Sequence, residues 1–501
     1  MRIIRFQAFY LAVLSIFLLT AVTPIIAQDA PINIGSRLVL FVDDYLIGRM
    51  IDTELVMHHP VPREIVMVHD APWEGSGTGY HTIFRDGDIY RMYYKSWELT
   101  VTDEGLEIPH ETLAAYAESR DGIHWEKPNL GLFEFNGSTD NNLVWVGPGS
   151  HDFTPFKDTN PVCPPEARYK AVGNGGKAGL LAFISPDGIH WSPLQETGII
   201  TEGAFDSQNL AFWDEMRGEY RVYFRDFREG SRDIKTAVSD DFVHWTEGAW
   251  LAYPGATVEQ LYTNQVKPYY RAPHIFIGFP SRYVERHWDE TLFRDLPEFE
   301  HRKRRAKASP RYGSAVTDAL FMTSRDGVTF KRWGEAFLRP GLRYTDNWAY
   351  GDNYIAWHVV ETASDISGAP NEISLYATES YWTGKSSVLR RFTMRIDGFV
   401  SVHAPAVGGS FETKSIVFEG NRLVLNAATS AAGYIKVEIR DRRGRVIPDR
   451  SFDDCVELFG DSLERTVTWA DGADIGDLAG EPVRLRFFMK DADLYSMRFA
   501  R

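Results

Sequence analysis

Ser119-Arg120-Asp121-Gly122-Ile123-His124-Trp125 recurs down the chain with small changes. It returns as Ser185-Pro186-Asp187-Gly188-Ile189-His190-Trp191, as Ser239-Asp240-Asp241-Phe242-Val243-His244-Trp245 and as Ser324-Arg325-Asp326-Gly327-Val328-Thr329-Phe330. The copies lie roughly 60 residues apart with one longer gap, the mark of a repeat architecture. Asp-Gly is strong turn chemistry, because glycine accepts positive φ and aspartate hydrogen-bonds its own turn. An apolar run such as Leu180-Leu181-Ala182-Phe183-Ile184 precedes the turn, and the closing aromatic can fold back on the core. Each box therefore reads as a hairpin between two outer strands of one sheet, a structural element rather than a substrate contact.

Ahead of each box come a strand, a tight turn and a second strand rich in Tyr and Phe. Examples are Tyr80 to Phe84, the turn Asp86-Gly87-Asp88 and Ile89 to Tyr94, or Asn209 to Trp213, a turn at Gly218 and Tyr220 to Arg225. Four short strands per repeat is the content of one propeller blade. Residues 75–400 then hold five blades of about 65 residues each. The fifth runs from Asn347 to Phe399, with Thr378-Glu379-Ser380-Tyr381-Trp382 as a degenerate box. Residues 28–74 read as strands leading into the ring, one of which completes the last sheet. The insertion between Arg282 and Arg311 contains His301-Arg302-Lys303-Arg304-Arg305, read as a solvated loop. Short alternating strands such as Arg422 to Asn426 and Tyr434 to Arg440 predict a β-sandwich over residues 401–501. The expected fold class is all-β: a five-bladed β-propeller followed by a C-terminal β-sandwich.

The 501 residues are 44% hydrophobic and 25% charged, an ordinary globular composition that argues against disorder. A net charge of −15 argues against a nucleic-acid partner, which needs a basic face. Cys163 and Cys455 are too few for a disulfide scaffold or a cysteine-rich metal site. Arg2 and Arg5, the apolar run Ala8 to Val22 and the small residue Ala27 read as a signal peptide over residues 1–27. The mature protein is then expected to be secreted or periplasmic, without stable membrane insertion.

The inner strands of a propeller gather side chains that are far apart in sequence. Carboxylates just ahead of those strands are the catalytic candidates: Asp70 and Glu74, Asp152 and Asp158, Asp206, Glu259, and Asp352. Glycosidic cleavage uses two carboxyl groups flanking the bond, one protonated and one ionised. Trp73, Tyr80, His81, Trp213, Tyr262 and Trp348 are candidates to stack on or hydrogen-bond a sugar, with Arg271 and Asp352 as further binding candidates. The expected substrate is a polysaccharide or oligosaccharide. No cofactor or metal is required, although a structural Ca2+ in the central channel is compatible with the architecture.

Asp206-Ser207-Gln208-Asn209, Tyr262-Thr263-Asn264, Arg271-Ala272-Pro273-His274, Ile396-Asp397-Gly398-Phe399 and Asp491-Ala492-Asp493-Leu494-Tyr495-Ser496 carry a resemblance. In these segments and in its blade pattern the chain resembles glycoside hydrolase families 32 and 43 and their five-bladed relatives, as a secreted bacterial branch. The resemblance implies a first-blade acid as nucleophile or base (Asp70 or Glu74), Asp206 as stabiliser and Glu259 as proton donor. The fructosidase start Asn-Asp-Pro-Asn-Gly is absent, so fructose is not implied as the substrate. Alternative readings are a non-catalytic carbohydrate-binding propeller, and a sialidase-like hydrolase or polysaccharide lyase on the same scaffold. The sialidase-like reading needs an arginine cluster, for which Arg225, Arg271 and Arg282 are the candidates.

Overall fold

The computed structural model describes residues 30–501; the expected signal peptide lies outside the described residues. The chain is built almost wholly of strands. Five antiparallel sheets follow one another in sequence. The first comprises Gly79–Asp86, Ile89–Ser96, Leu113–Ser119 and Trp125–Glu126, with Leu143–Val146 added to it. The second comprises Thr154–Lys157, Tyr169–Asn174, Leu180–Ser185 and Ser192–Pro193; the third, Leu210–Asp214, Glu219–Arg228, Ser231–Ser239 and Ala249–Trp250. The fourth comprises Lys267–Tyr269, Ala272–Gly278, Met322–Ser324 and Phe330–Arg332. A three-stranded piece, Gln260–Leu261, Ser281–Glu285 and Ala315–Ala319, continues the same chain path.

The fifth sheet takes Val360–Thr362, Glu372–Glu379 and Val388–Met394, and its outermost strand is Val61–Val68 from the other end of the chain. The remaining N-terminal strands go elsewhere. Ile32–Gly35, Val39–Leu40, Ile47–Ile51 and Glu54–Met57 join a ten-stranded sheet with the C-terminal strands. Its spine is Arg422–Asp441 paired along its length with Val483–Ala500. Asp491-Ala492-Asp493 lies inside that second strand. The sheet encloses one apolar core, in which Phe411 stacks on Phe487 at 4.5 Å and Phe418 on Phe499 at 3.8 Å.

The repeated box explains itself chemically. Ser119 Oγ accepts from the Gly122 amide, and Asp121 Oδ1 accepts from the Ile123 and His124 amides, both at 2.8 Å. The same three bonds recur around Asp187, Asp241 and Asp326. The indole N–H of Trp125, Trp191 and Trp245 donates back to the carbonyl at the turn. The turn position has φ of 77°, 81° and 78° at Gly122, Gly188 and Gly327, and 69° at Phe242, which fills the glycine place in the third copy.

That carbonyl is also the point where a neighbouring sheet latches on. Tyr376 of the fifth sheet donates to Gly122 O of the first at 2.6 Å. Tyr93 of the first donates to Gly188 O of the second at 2.9 Å, and Tyr223 of the third to Gly327 O of the fourth at 2.8 Å. Tyr269 of the fourth reaches Asp397, just after the third strand of the fifth. Ile396-Asp397-Gly398-Phe399 thus takes the box position there. Thr378–Trp382 does not, because it joins the second and third strands instead of the third and fourth. A Cβ on Gly188 would lie 2.7 Å from the Tyr93 hydroxyl, on a backbone that disfavours side chains. Gly188→Ala is therefore expected to cost about 2–3 kcal/mol in denaturant unfolding.

The inner strands close on one another around Trp357, which is fully buried. Its amide donates to His81 O, its carbonyl accepts from Ile83 N, and its indole donates to Val266 O at 3.1 Å. Gln208 donates to the carbonyls of Tyr80 and His81 and to Thr82 Oγ1, and Gln265 donates to Gln208 Oε1 at 2.7 Å. First, third, fourth and fifth sheets are thereby tied at their innermost strands.

His301–Arg305 is not a solvated loop. It lies in the helix Phe299–Ala308, with Arg302 and Arg305 buried. Residues three apart share a helix face. From that face Arg302 donates to Trp348 O and Gly313 O, and Arg305 to Trp382 O. The guanidinium forks clamp the loops that carry Tyr350 and Tyr381. Cys163 and Cys455 are free thiols. Among the described residues no helix is long and apolar enough to cross a membrane.

Candidate active site

Asp206 sits on a segment whose other side chains are all spent inward. Ser207 Oγ donates to Tyr262 O at 2.5 Å and Gln208 donates to the carbonyls of Tyr80 and His81. Asn209 donates to Asp152 Oδ2 at 2.6 Å and to two carbonyls of its own turn. With its neighbours pinned, Asp206 alone turns outward, its side chain 66% exposed. His151 Nε2 lies 3.2 Å from Oδ1, and an Arg225 terminal nitrogen lies 3.9 Å from Oδ2. Partial burial works against the charge, but His151, Arg225 and the nearby Lys95 more than offset it and hold the carboxyl below its ordinary range.

Around Asp206 the starts of several inner strands converge. Tyr80 stacks parallel to Tyr354 at 6.2 Å and meets the His151 ring edge-on at 5.9 Å. Tyr354 stacks on Tyr262 at 5.5 Å, and Tyr350 Oη donates to Tyr262 Oη at 2.9 Å. Arg225 lies over the Tyr262 ring, and Arg232 over Tyr262 and Tyr283. Tyr80 has φ of 54°, at a break in strand register between Gly79 and Thr82. A bulky aromatic held there is strained, and such strain concentrates at functional sites.

Lys95 is the last residue but one of the second strand of the first sheet and is buried. Its ammonium lies 4.5 Å from the Tyr80 ring centre, 4.9 Å from Trp97 and 5.3 Å from Tyr381, and donates to Tyr381 Oη at 3.0 Å. Burial pushes it down to about 7, with the charges of Asp206 and Asp152 pulling the other way. Asp152 is fully buried behind Asp206, accepting from Asn209 and from the Asn174 amide. Burial pushes its carboxyl well up, and Asp206 adds to the push.

The other candidates are placed differently. Glu259 is paired with Arg282 at 2.9 Å and Arg332 at 3.0 Å, and shares no partner with Asp206. Glu74 is buried, accepting from Tyr94 and Lys127, both at 2.6 Å, and from the Ala71 amide. Asp70 is exposed in the turn before it. Asp158 is buried against Lys170, Tyr220 Oη and the Asn160 amide. It follows Thr154–Lys157 where Asp152 precedes it, so the two acids occupy opposite ends of one strand.

Of the binding candidates, Tyr80 meets His151 beside Asp206, and Tyr262 is reached by Arg225 and Ser207. Trp73 donates to Asn142 and packs on Phe135. His81 is buried against His69, and burial pushes its imidazole well down. Trp213 packs on Tyr220 at 4.9 Å. Arg271 pairs with Asp397 and Arg282 with Asp318 and Glu259, leaving Arg225 alone of the three beside Asp206. Trp348 donates to Gly341 O on a cavity wall shared with Glu259. Asp352 is buried and pushed up to about 7 by that burial; it accepts from the Ala349 and Tyr381 amides as a turn cap. Lys95, His151, Tyr354 and Tyr381 were not among the candidates. For Lys95 the sequence offers only a cation following Tyr93-Tyr94, in a strand that also holds Arg91. Among the described residues no cluster of three or more His, Cys, Asp or Glu side chains is arranged to hold a metal ion.

No family model matches the chain. It is 28% identical over 159 residues to an uncharacterized protein of Mycobacterium tuberculosis strain H37Rv, a match covering 29% of this chain and 46% of that one. A second uncharacterized protein, from strain CDC 1551, matches at 28% over 152 residues with the same coverage. The chain thus spans about half the length of these relatives. Solved structures that it resembles include carbohydrate-acting proteins, several of them glycoside hydrolases. An N-acetylgalactosamine deacetylase from F. plautii in complex with blood group B trisaccharide gives a TM-score of 0.42 at 13% identity, over 68% of this chain and 94% of that one. An α-L-arabinofuranosidase catalytic domain from Coprinopsis cinerea gives 0.41 at 9%, over 67% and 97%. A fructofuranosidase from Schwanniomyces occidentalis complexed with fructosylnystose gives 0.38 at 12%, over 86% and 96%. Likeness at this level carries no argument about activity, which rests on the side chains.

Proposed function

We propose that the protein is an exported carbohydrate-active enzyme, a five-bladed propeller followed by a β-sandwich, that cleaves glycosidic bonds at the Asp206 mouth. The tyrosine latches between successive sheets and the strand Val61–Val68 completing the last one support the propeller reading. The observation that carries the site is Asp206 itself, an exposed carboxylate held ionised by His151 and Arg225 within a ring of tyrosines. Asp206 acts on the sugar as the ionised group. The Lys95–Tyr381 pair supplies the proton to the leaving oxygen, because an ammonium poised near 7 is matched to that task. Asp152 is a positioning residue, holding Asn209 and so the outward turn of Asp206.

The same amine favours a second reading. Deprotonated, Lys95 would be the base for β-elimination from a uronate, with Tyr381 as proton donor. The two readings differ in product and in pH dependence. Hydrolysis releases saturated reducing ends and weakens above about pH 7 as Lys95 loses its proton; elimination releases unsaturated ends absorbing in the ultraviolet and strengthens through that pH. A panel of plant, algal and microbial glycans, assayed for both products across pH, separates them. Glycan binding with neither product, unchanged by Asp206→Asn, would leave a binding propeller instead of an enzyme.

A further inference from the structure

Two inner strands and the stretch around Trp357 each have one end at Asp206 and the other at a second cavity. Tyr80 begins Gly79–Asp86, and Phe84 and Arg85 lie near its far end. His151 precedes Thr154–Lys157, and Lys157 closes it. Tyr354 precedes Trp357, and His358 follows. Phe84, Lys157, Lys267, Tyr270, His358 and Val360 line a cavity of about 430 Å3 at that far end.

Lys267 is half-buried on that wall and forms no ion pair with the Glu361 carboxylate that also lines it. Its ammonium lies 5.1 Å from the Trp357 ring centre and 5.6 Å from Phe212, and among the described residues it makes no hydrogen bond or ion pair. Burial pushes it down to about 7, with Glu215 pulling the other way. His358 Nε2, beside it on the wall, is buried without a partner. The other charged side chains on the wall have hydrogen-bond or ion-pair partners of their own. Lys157 pairs with Asp86, Arg85 donates to Gly87 O, and Glu361 accepts from Tyr270. An ammonium partly withdrawn from water and left unpaired carries a desolvation cost, and an anion is what relieves it.

We infer that the far mouth of the ring is a second binding site, which takes a small anion, a carboxylate or phosphate ester with an apolar body, on Lys267. The anionic group meets the ammonium while the apolar body lies against Phe84, Val359 and Val360. The site is separate from the Asp206 mouth, so its ligand binds whatever the chemistry there.

Benzoate and inorganic phosphate are the probes, titrated calorimetrically into wild type, Asp206→Asn and Lys267→Met. Binding of either probe by wild type and Asp206→Asn, weakened at least about tenfold in Lys267→Met, is the expected result; which probe binds assigns the anionic group. Binding unchanged in Lys267→Met, or no heat from either probe, overturns the inference. Pyridoxal phosphate with borohydride gives a second test on the unaltered protein. The Lys267 amine condenses with the aldehyde, releasing water, and hydride from borohydride reduces the imine to a stable amine. Peptide mass analysis should find Lys267 labelled, and protected by the bound probe. Labelling confined to surface lysines would contradict the site.

Discussion

Asp206→Asn is expected to lower turnover of a confirmed glycan substrate by about a thousandfold while leaving unfolding midpoints unchanged. The amide matches the carboxylate in size, and the side chain is mostly solvent-exposed, so little stability rests on it. What is lost is the negative charge that His151, Arg225 and Lys95 are arranged to hold. Glu259→Gln makes the contrasting control. Its carboxylate serves Arg282 and Arg332, so turnover should stay within about twofold while the fold loses about 1–3 kcal/mol from two stranded guanidinium groups. Equal loss of turnover in both variants would mean that Asp206 is not special.

Lys95→Met should be the second large effect, lowering kcat about a hundredfold. Methionine fits the cage of Tyr80, Trp97 and Tyr381 and keeps its packing, so the loss is of the proton and not of the fold. The limb of the pH–rate profile near 7 should vanish with it. Stability carries a signature of the same group. Its folded-state value is depressed from an ordinary value of about 10.4, so the unfolded chain binds the proton more tightly. Stability therefore gains from this group as pH rises from about 7 to about 10, and Lys95→Met should flatten that rise. A limb that persists in the variant would move the titration to another residue.

The repeating frame was legible because its signals are local. The Ser-x-Asp-Gly box is a closed set of hydrogen bonds within a few residues, so its spacing alone marks the successive sheets. The sequence also leads to the expectation that one N-terminal strand completes the last sheet, and Val61–Val68 pairs there. What could not be read was which end of an inner strand is which. Asp152 and Asp158 flank a strand of four residues, and only the fold places one behind Asp206 and the other beside Lys170 and Tyr220. Glu259 stands a few residues from Tyr262, yet two arginines from other strands claim it. Arg302 and Arg305 look like solvated charge in a basic run, and their burial depends on carbonyls about ten to eighty residues away. Lys95 was hidden because a single lysine in an aromatic strand is ordinary until its neighbours are known.

The central claim is that the sugar is bound and cut at the mouth where Tyr80, His151, Asp206 and Tyr354 meet. The most direct test is the structure of Asp206→Asn crystals soaked with a glycan that the wild type cleaves. The account predicts a sugar ring against Tyr80 and Tyr354, with its scissile oxygen near residue 206 and the Lys95–Tyr381 pair. A sugar seated beside Glu259, Arg282 and Trp348 instead, with the Asp206 mouth empty, would contradict it.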